Sequence, residues 1–236
     1  MKTIMEYCYE DYLQNGTGQI KIVRDDGNIS IDNPERWFNP KHELSQMDIK
    51  CLSTIGNGNI LDIACGTGVH MRYLQKQKRE VHGFDVSEFS VMLAKKMGTK
   101  NVYAESFWDF DINIKFDNAI CMNGSIGFVG DICKLEEFLR KCRTFLKKDG
   151  FLYLQGLDWR IDPMHKHAKY IQNNIEKGLY PGTVKFHQEY KDITDEEFNW
   201  IWVDTDTLQE KAIQNGFEVV NLKYFGAKYF ITLKAK

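Results

Sequence analysis

The sequence predicts an open α/β protein, and three observations support that fold class. Residues 59–70, NILDIACGTGVH, read as a short apolar strand, a glycine turn and the start of a helix. Residues 80–85, EVHGFD, read as a second short strand that ends in an acid. Strand and helix patterns then alternate as far as residue 157, which is typical of a sheet whose strands are connected by helices.

Length and composition indicate one soluble domain, with room for an elaborated cap. The chain has 236 residues, with 43% hydrophobic and 27% charged residues. The formal net charge of −2 argues against a general grip on nucleic acid, which needs a concentrated basic surface. The start of the chain lacks the apolar core of a secretory signal, and no run is long enough to span a membrane. We therefore expect a cytoplasmic protein with neither nucleic acid nor membrane as a partner.

The six cysteines do not indicate a metal site. They show no CxxC pair and no zinc-ligand spacing, so we expect buried or free thiols in a reducing compartment. No other combination of residues suggests a metal, and none is predicted.

The glycine turn is the strongest local signal. Gly66 and Gly68 lack a Cβ, so the backbone can turn tightly and lie close to a ligand, while the free N–H groups of the following helix point over the turn. A dinucleotide-binding GxGxxG would need a third glycine where the chain has Met71. The pattern therefore predicts a nucleotide-like ligand and argues against a dinucleotide oxidoreductase.

Residues 62–68, Asp-x-Ala-Cys-Gly-Thr-Gly, resemble the first motif of the class I S-adenosylmethionine-dependent methyltransferases. The resemblance covers about residues 43–157 and 203–236. It implies a Rossmann-like, seven-stranded, mostly parallel sheet with an antiparallel last strand and helices on both faces. It also implies S-adenosyl-L-methionine as the cofactor and S-adenosyl-L-homocysteine as the product.

The remaining elements follow from periodicity and punctuation. Hydrophobic spacing predicts a helix over 43–55, a helix from 69 to about 76, and a helix over 88–97 capped by Ser87. An amphipathic helix is predicted over 131–146, closed by the cations and glycine of 147–150, and a last helix over 202–215. The expected strands after the second are 102–104, 116–122, 151–157, 217–225 and 228–233.

The predicted cofactor site lies at the carboxyl ends of the strands. Asp85, at the tip of the second strand, is expected to accept hydrogen bonds from both ribose hydroxyls. The resemblance places Glu105 or Ser106 at the adenine amino group and Phe107 against the ring. The full predicted set of cofactor-binding residues is Asp62, Ala64, Cys65, Gly66, Gly68, Asp85, Val86, Glu105, Ser106, Phe107, Met122 and Asn123.

Two segments fall outside the resemblance and are expected to form the acceptor side of a single domain spanning 1–236. Residues 1–45 form an N-terminal extension in which Trp37 and Phe38 occupy a predicted loop, either as core packing or as a lid over the acceptor. Residues 158–202 are too long for a plain connection and start on the rim where open sheets bind ligands. This insertion is predicted to be an acceptor cap, with Asp158 among the polar groups that orient the acceptor.

Histidines of the insertion are the predicted general bases, because imidazole titrates near neutral pH. His165, His167 and His187 are the candidates, and His165 is favoured because it lies nearest the end of the fifth strand. His165 and His167 are two residues apart, so on a helix they would not share a face and are not expected to bind a metal together. Asn123 joins the catalytic candidates, because the resemblance places the methyl donor beside the acceptor after the fourth strand.

The sequence therefore predicts a methyltransferase that acts on oxygen or nitrogen of a small organic molecule. Specialised-metabolite or carbohydrate biosynthesis is the expected setting, and a monomer or homodimer the expected assembly. The alternatives are an RNA or protein methyltransferase and a non-catalytic partner subunit that keeps the cofactor fold. The absence of an Asn/Asp-Pro-Pro-Tyr/Phe motif after the fourth strand argues against nucleobase nitrogen as the acceptor.

Overall fold

The computed structural model describes residues 2–16, 18–39, 41, 44–161 and 167–236. Its helices are α1 Ile4–Asn15, α2 Glu35–Phe38, α3 Gln46–Leu52, α4 Val69–Lys76, α5 Glu88–Lys96, α6 Leu135–Phe145, α7 Ala168–Glu176 and α8 Thr205–Gln214. Short 3-10 helices cover Ser125–Val129 and Ile132–Lys134. The strands are β1 Ile20–Arg24, β2 Ile29–Asp32, β3 Ile60–Ile63, β4 Val81–Asp85, β5 Val102–Ala104, β6 Phe116–Cys121, β7 Leu146–Leu157, β8 Thr183–Tyr190, β9 Ile193–Thr194, β10 Phe198–Ile201, β11 Phe217–Phe225 and β12 Lys228–Ala235.

The larger sheet has seven strands in the order β11-β12-β7-β6-β3-β4-β5. The strands from β7 to β5 run parallel, whereas β12 runs antiparallel to both β7 and β11. The predicted Rossmann-like sheet with an antiparallel last strand is therefore confirmed. Because parallel strands end at one edge, the segments that follow β3, β4, β5 and β6 meet there.

Hydrophobic packing on the two faces of this sheet holds the helices in place. On one face α6 and α8 bury residues such as Phe138 and Leu208 against β6, β7 and β12. On the other face α3, α4 and α5 contribute Leu52, Leu74 and Val91. All four residues of β3 are buried, as expected for a central strand covered on both sides.

The two segments outside the resemblance form one smaller antiparallel sheet. Its order is β10-β8-β1-β2, with β9 also pairing with β8. The register joins the N-terminal extension to the insertion, for example by pairing Val23 with His187. A cluster of side chains from α1, β1, α2 and β8 packs on Leu93 of α5 and so anchors this sheet to the larger one.

Several predicted boundaries were wrong. The helix predicted over 131–146 consists of the 3-10 helix and α6, and residues 147–150 belong to β7 instead of closing the helix. Lys147 donates to Asp117 across the strand pair at 2.8 Å, and Asp149 takes a left-handed φ of 62° at an irregular part of the strand. Lys147, predicted to close a helix, therefore stabilises a strand pair.

Other differences concern helix ends in the added segments. The last helix begins at Thr205, after the N-cap Asp204, because β10 extends to Ile201. Trp37 and Phe38 lie in the one-turn helix α2 instead of a loop. The helix α1, capped reciprocally by Thr3 and Glu6, was not predicted. The predicted cap Ser87 accepts the N–H of Ser90 and is confirmed.

Within the described ranges, no helix has the length and apolar character that crossing a bilayer requires.

Candidate functional site

A cleft of about 430 Å³ opens at the edge where β3, β4 and β6 end. We call it the main cleft. Ten of the twelve predicted cofactor-binding residues line it, namely Asp62, Ala64, Cys65, Gly66, Asp85, Val86, Ser106, Phe107, Met122 and Asn123. Its other lining residues are Trp37, His70, Phe84, Trp108, Ser125, Phe128 and Trp200.

The two predicted residues that do not line the main cleft are Gly68 and Glu105. Gly68 adopts φ 72° as the N-cap of α4, and a Cβ there would come within 2.9 Å of Thr99, so this glycine is needed for packing behind the turn. Glu105 is exposed, and its N–H donates to the Asp85 carbonyl.

The backbone of the turn is left-handed where it faces the main cleft. Ala64 has φ 55° and Gly66 has φ 53°. A Cβ added to Gly66 would lie 3.7 Å from the ring of Trp37, so the glycine leaves room between the turn and that ring. Asn123, at the end of β6, also has a left-handed φ of 56°. Non-glycine residues seldom adopt this conformation, and such strain concentrates at functional sites.

Asp85 is held by two backbone N–H groups. Its Oδ2 accepts from Gly66 at 2.8 Å and its Oδ1 from Ser87 at 2.9 Å. Burial raises the pKa of this carboxyl, and the two hydrogen bonds act in the opposite direction. Each carboxylate oxygen can accept more than one hydrogen bond, so the side chain is oriented and still has acceptor capacity towards the cleft.

Asp62 is the most deeply buried acid of the main cleft, with 1% of its surface exposed. Its Oδ2 has no hydrogen-bond partner in the described part of the chain. Burial, followed by the nearby charge of Asp85, raises the pKa of this carboxyl well above its ordinary value. A buried acid without a partner costs stability, so its presence beside a cleft indicates a polar group that a ligand supplies.

These residues suit a nucleoside-containing amino acid such as S-adenosylmethionine. The two carboxylate oxygens of Asp85 lie at the tip of β4, and the buried acid Asp62, whose Oδ2 has no partner, lies at the end of β3. The glycine turn leaves space for a ligand to approach its backbone. The structure carries no ligand, and the fit rests on these three features.

Comparison with known proteins finds similarity to methyltransferases. A methyltransferase domain family matches residues 60–150. A dTDP-3-amino-3,6-dideoxy-alpha-D-glucopyranose N,N-dimethyltransferase of Streptomyces fradiae is 28% identical over 41% of this chain and 38% of its own length. The chain is therefore similar to S-adenosylmethionine-dependent methyltransferases, in a domain match over residues 60–150 and in its fold. Both findings confirm the resemblance predicted from the sequence.

Another relative is also a methyltransferase. A ubiquinone biosynthesis O-methyltransferase of Histophilus somni is 25% identical over 63% of this chain and 68% of its own length. The first four curated relatives are matched over 30% to 68% of their own lengths, and three of the four over less than two thirds.

Solved structures share the fold. A methyltransferase from Bacteroides fragilis, solved with S-adenosyl-L-homocysteine, is 24% identical with a TM-score of 0.78 over 98% of this chain and 94% of its own. The sugar N-methyltransferase KedS8 from a Streptoalloteichus species is 16% identical with a TM-score of 0.52, over 75% of this chain and 80% of its own.

Asn123 links the main cleft to a chain of hydrogen bonds that ends on α3. Its N–H donates to Gln155 Oε1 at 2.5 Å, and Gln155 Nε2 donates to Asp48 Oδ1 at 3.2 Å. Asn123 also borders a smaller side cavity of about 160 Å³, which we call the side cavity. Its lining residues are Arg36, Trp37, Leu44, Ser45, Met47, Asp48, Val69, Asn123 and Lys228.

Aromatic side chains from both sheets close the main cleft. Phe107, Trp108 and Phe128 come from the segments that follow β5 and β6 of the larger sheet and contact one another. Trp37 comes from the N-terminal extension and Trp200 from the insertion. Of the predicted Trp37–Phe38 pair, Phe38 is core packing between Tyr9 and Tyr12, whereas Trp37 lines the cleft.

Gly127 makes room for the Trp200 wall. A Cβ at Gly127 would lie 1.9 Å from Trp200 Nε1, so no larger residue fits without moving the indole. The 3-10 helix after β6 therefore carries a glycine because a ring of the smaller sheet packs directly on its backbone.

The histidines predicted as bases do not line the main cleft where the structure describes them. His187 lies on β8 and contacts Glu189 at 3.2 Å. His167 Nδ1 is 2.8 Å from Arg24 Nη1, and its ring packs near Trp202. His165 lies outside the described residues. Asp158, predicted to orient the acceptor, instead binds Arg160 and Thr205 behind the cleft.

The histidine that does line the main cleft is His70, which sequence reasoning missed. It is the second residue of α4, directly after the glycine turn, and 4% of its surface is exposed. The signal was present, since the first turn of a helix that starts at a ligand-binding loop faces the ligand. The described residues contain no group of three or more potential metal ligands.

Proposed function

We propose that this protein transfers a methyl group from S-adenosylmethionine to nitrogen or oxygen of a small organic acceptor. The observation that carries the proposal is the composition of the main cleft. The glycine turn, Asp62 and Asp85 line one part of it, and Trp200 from the smaller sheet lines another. When bound, the cofactor supplies a methyl group already activated as part of a sulfonium.

Each cofactor-facing residue receives a proposed role. Asp85 would accept hydrogen bonds from the ribose hydroxyls, because Gly66 and Ser87 already fix its orientation. Asp62 would contact a polar donor that completes its unpartnered Oδ2. Phe107 would pack against the adenine, and the backbone around Met122 and Asn123 would border the transferred methyl group.

Ser106, the other predicted adenine contact, is engaged with Asp109. Its hydroxyl donates to Asp109 Oδ2 at 2.6 Å and accepts from the Asp109 N–H. A contact to the adenine amino group would therefore come from its remaining acceptor capacity. Glu105 is not proposed for this role, because it does not line the cleft.

A small acceptor is favoured by the walls of the main cleft. Trp37 and Trp200 approach from two distant segments and restrict the opening to a partly enclosed, mostly apolar space. Relatives named for the methylation of an amino sugar nucleotide and in ubiquinone biosynthesis support nitrogen or oxygen as the acceptor atom. Specialised-metabolite or carbohydrate biosynthesis is the setting that these names support, and a monomer or homodimer remains our expectation for the assembly.

The protein's contribution to the transfer is alignment and exclusion of water. Displacement requires the acceptor atom, the methyl carbon and the sulfur to lie in a line, and holding that geometry supplies a large part of the rate. The aromatic walls would keep water away from the reacting atoms. They would also hold the acceptor beside Asn123.

The test is calorimetric titration with S-adenosylhomocysteine, with NAD as a second ligand. We expect wild type to bind S-adenosylhomocysteine and not NAD. Asp85→Asn should weaken binding about tenfold or more, because it removes charge from the hydrogen bonds to the ribose.

The matched control is Asp117→Asn. Asp117 also accepts a backbone N–H, that of Asn59, but it lies at the opposite edge of the sheet. We expect this variant to bind like wild type. Binding of NAD, or no binding by the folded wild type, would refute the proposed function. Binding in wild type would be followed by a screen of small amines, alcohols and phenols as acceptors.

A further inference from the structure

His70 lines the main cleft and carries a buried ring nitrogen without a hydrogen-bond partner among the described residues. That nitrogen is Nε2. The side chain is carried by the first turn of α4, directly after the glycine turn. A nitrogen atom in this state is an acceptor for a donor that enters with a ligand.

The charges around the main cleft separate it into two ends. Burial raises the pKa of Asp62, and the charge of Asp85 raises it further. Asp85 is the residue proposed to bind the ribose. His70 responds to Asp48 and Arg72, and neither cleft acid is among the charges that act on it. His70 directly follows Val69, which lines the side cavity together with Asp48 of α3.

The end of the cleft that holds His70 adjoins the side cavity. Asp48 lines the side cavity, as does Val69, the chain neighbour of His70. Trp37 and Asn123 border both spaces. A molecule in the side cavity would thus reach the cofactor by passing His70, Trp37 and Asn123.

At neutral pH the imidazole of His70 is uncharged. Burial lowers its pKa to about 4, the positive charge of Arg72 acts in the same direction, and the negative charge of Asp48 opposes both. Arg72 itself is occupied, since its guanidinium donates to the Thr67 carbonyl and to Thr99 Oγ1. An uncharged imidazole with a proton on Nδ1 has a lone pair available on Nε2.

We propose that His70 is the general base of the reaction and receives the acceptor's proton on Nε2. The inference rests on the proposed function. As the bond between the acceptor atom and the methyl carbon forms, the bond between that carbon and sulfur breaks and its electron pair stays on sulfur. The acceptor's N–H or O–H proton moves to Nε2, and the electron pair of that bond stays on the acceptor atom.

Asp48 completes the proposed arrangement. The imidazolium formed by proton transfer gains from a nearby negative charge, and Asp48 is the acid that acts on His70. Its own orientation is fixed by Ser45, whose hydroxyl donates to Asp48 Oδ2 at 2.7 Å, and by Gln155. The proton would leave to solvent when the products dissociate.

The first test needs no known acceptor. Sinefungin carries an amine in place of the methylated sulfonium, so its ammonium group reports on any acceptor atom that faces the methyl position. We expect wild type to bind sinefungin more tightly than S-adenosylhomocysteine by about tenfold. His70→Phe, which keeps a ring but removes the acceptor, should abolish this preference and leave S-adenosylhomocysteine affinity within about threefold of wild type.

The matched control is His82→Gln, which is compared with His70→Gln. His82 is also buried, but it lies on β4 against Tyr103, outside the main cleft. The control should keep the sinefungin preference, and the His70→Gln variant gives a second reading if His70→Phe does not fold. An unchanged preference in both His70 variants would overturn the proposal. A large loss of S-adenosylhomocysteine binding in them would also overturn it, because it would place His70 on the cofactor's amino-acid end.

The second test uses whichever acceptor the screen identifies. His70→Gln should lower kcat about 100-fold or more with little change in the KM for S-adenosylmethionine. Asp48→Asn should have a smaller effect in the same direction. Wild-type kcat in His70→Gln would refute the assignment. Failure of wild type to bind S-adenosylhomocysteine would instead refute the proposed function itself.

Discussion

His70 gives a prediction about stability that does not depend on any substrate. In the unfolded chain its pKa is close to the ordinary 6.5, whereas burial in the folded protein lowers it to about 4. Between these values the unfolded chain binds a proton that the folded chain does not. The free energy of unfolding must therefore fall as the pH falls through this window. Above pH 6.5 His70 is uncharged in both states, so none of this stability is lost.

The magnitude follows from the two pKa values. A pKa lowered from 6.5 to about 4 lowers the free energy of unfolding by about 2 kcal/mol at pH 5, relative to its value at high pH. The loss reaches about 3 kcal/mol once both states are protonated. Asp62 and Asp85 act in the opposite sense, because their raised pKa values let the folded state hold protons that the unfolded state releases. The pH profile of wild type alone therefore cannot isolate His70, but the difference between wild type and His70→Phe can.

Urea denaturation of both proteins at pH 8, 6.5 and 5 measures that difference. Relative to His70→Phe, wild type should lose about 2 kcal/mol between pH 8 and pH 5, or about 4–8 °C in Tm for a domain of this size. Parallel stability curves for the two proteins across this range would refute the reasoning, since they would show that His70 is protonated equally in both states. His70→Asn provides a second comparison in which the titratable group is also absent.

Three further predictions follow from the cleft. Asp62→Asn should raise the Tm of the ligand-free protein at pH 8 by about 2–8 °C, because it removes a buried acid without a partner, and should weaken S-adenosylhomocysteine binding; a lower Tm would contradict this. Gly127→Ala should displace Trp200, raise the KM for the acceptor about tenfold and leave S-adenosylhomocysteine affinity nearly unchanged, as steady-state kinetics and calorimetry would show. Ala64→Gly should raise stability by up to about 1 kcal/mol in urea denaturation, because φ 55° is costly for alanine; destabilisation would show that the turn is not strained.

The side of the main cleft that we propose for the cofactor could be predicted because it is built from residues close together in the sequence. The strand, turn and helix of 59–70 are consecutive in the chain, and Asp85 ends the next strand. Such features depend on neighbouring residues and on the fixed direction of a parallel sheet. For this reason ten of the twelve predicted cofactor-binding residues meet in one space.

The acceptor side could not be predicted because its geometry depends on pairing between distant segments. The sequence shows that β1 is a strand, but not that Val23 pairs with His187 and brings Trp200 over the cleft. The choice among histidines failed to find His70 for a related reason. Proximity to the end of β7 was taken as the guide, while the path of the insertion carries His167 and His187 elsewhere.

The two ends of the main cleft share a physical feature that explains why both belong to a site. Asp62 Oδ2 and His70 Nε2 are buried polar atoms without partners, and each costs about 1–3 kcal/mol in the ligand-free protein. Asp158, an acid that is equally buried but lies outside the main cleft, is by contrast satisfied by Arg160 and Thr205. A sequence selected only for stability would replace both groups with apolar or neutral residues. A donor brought by a ligand to either atom would recover that cost as binding energy, so the same two atoms that weaken the free protein strengthen its complexes.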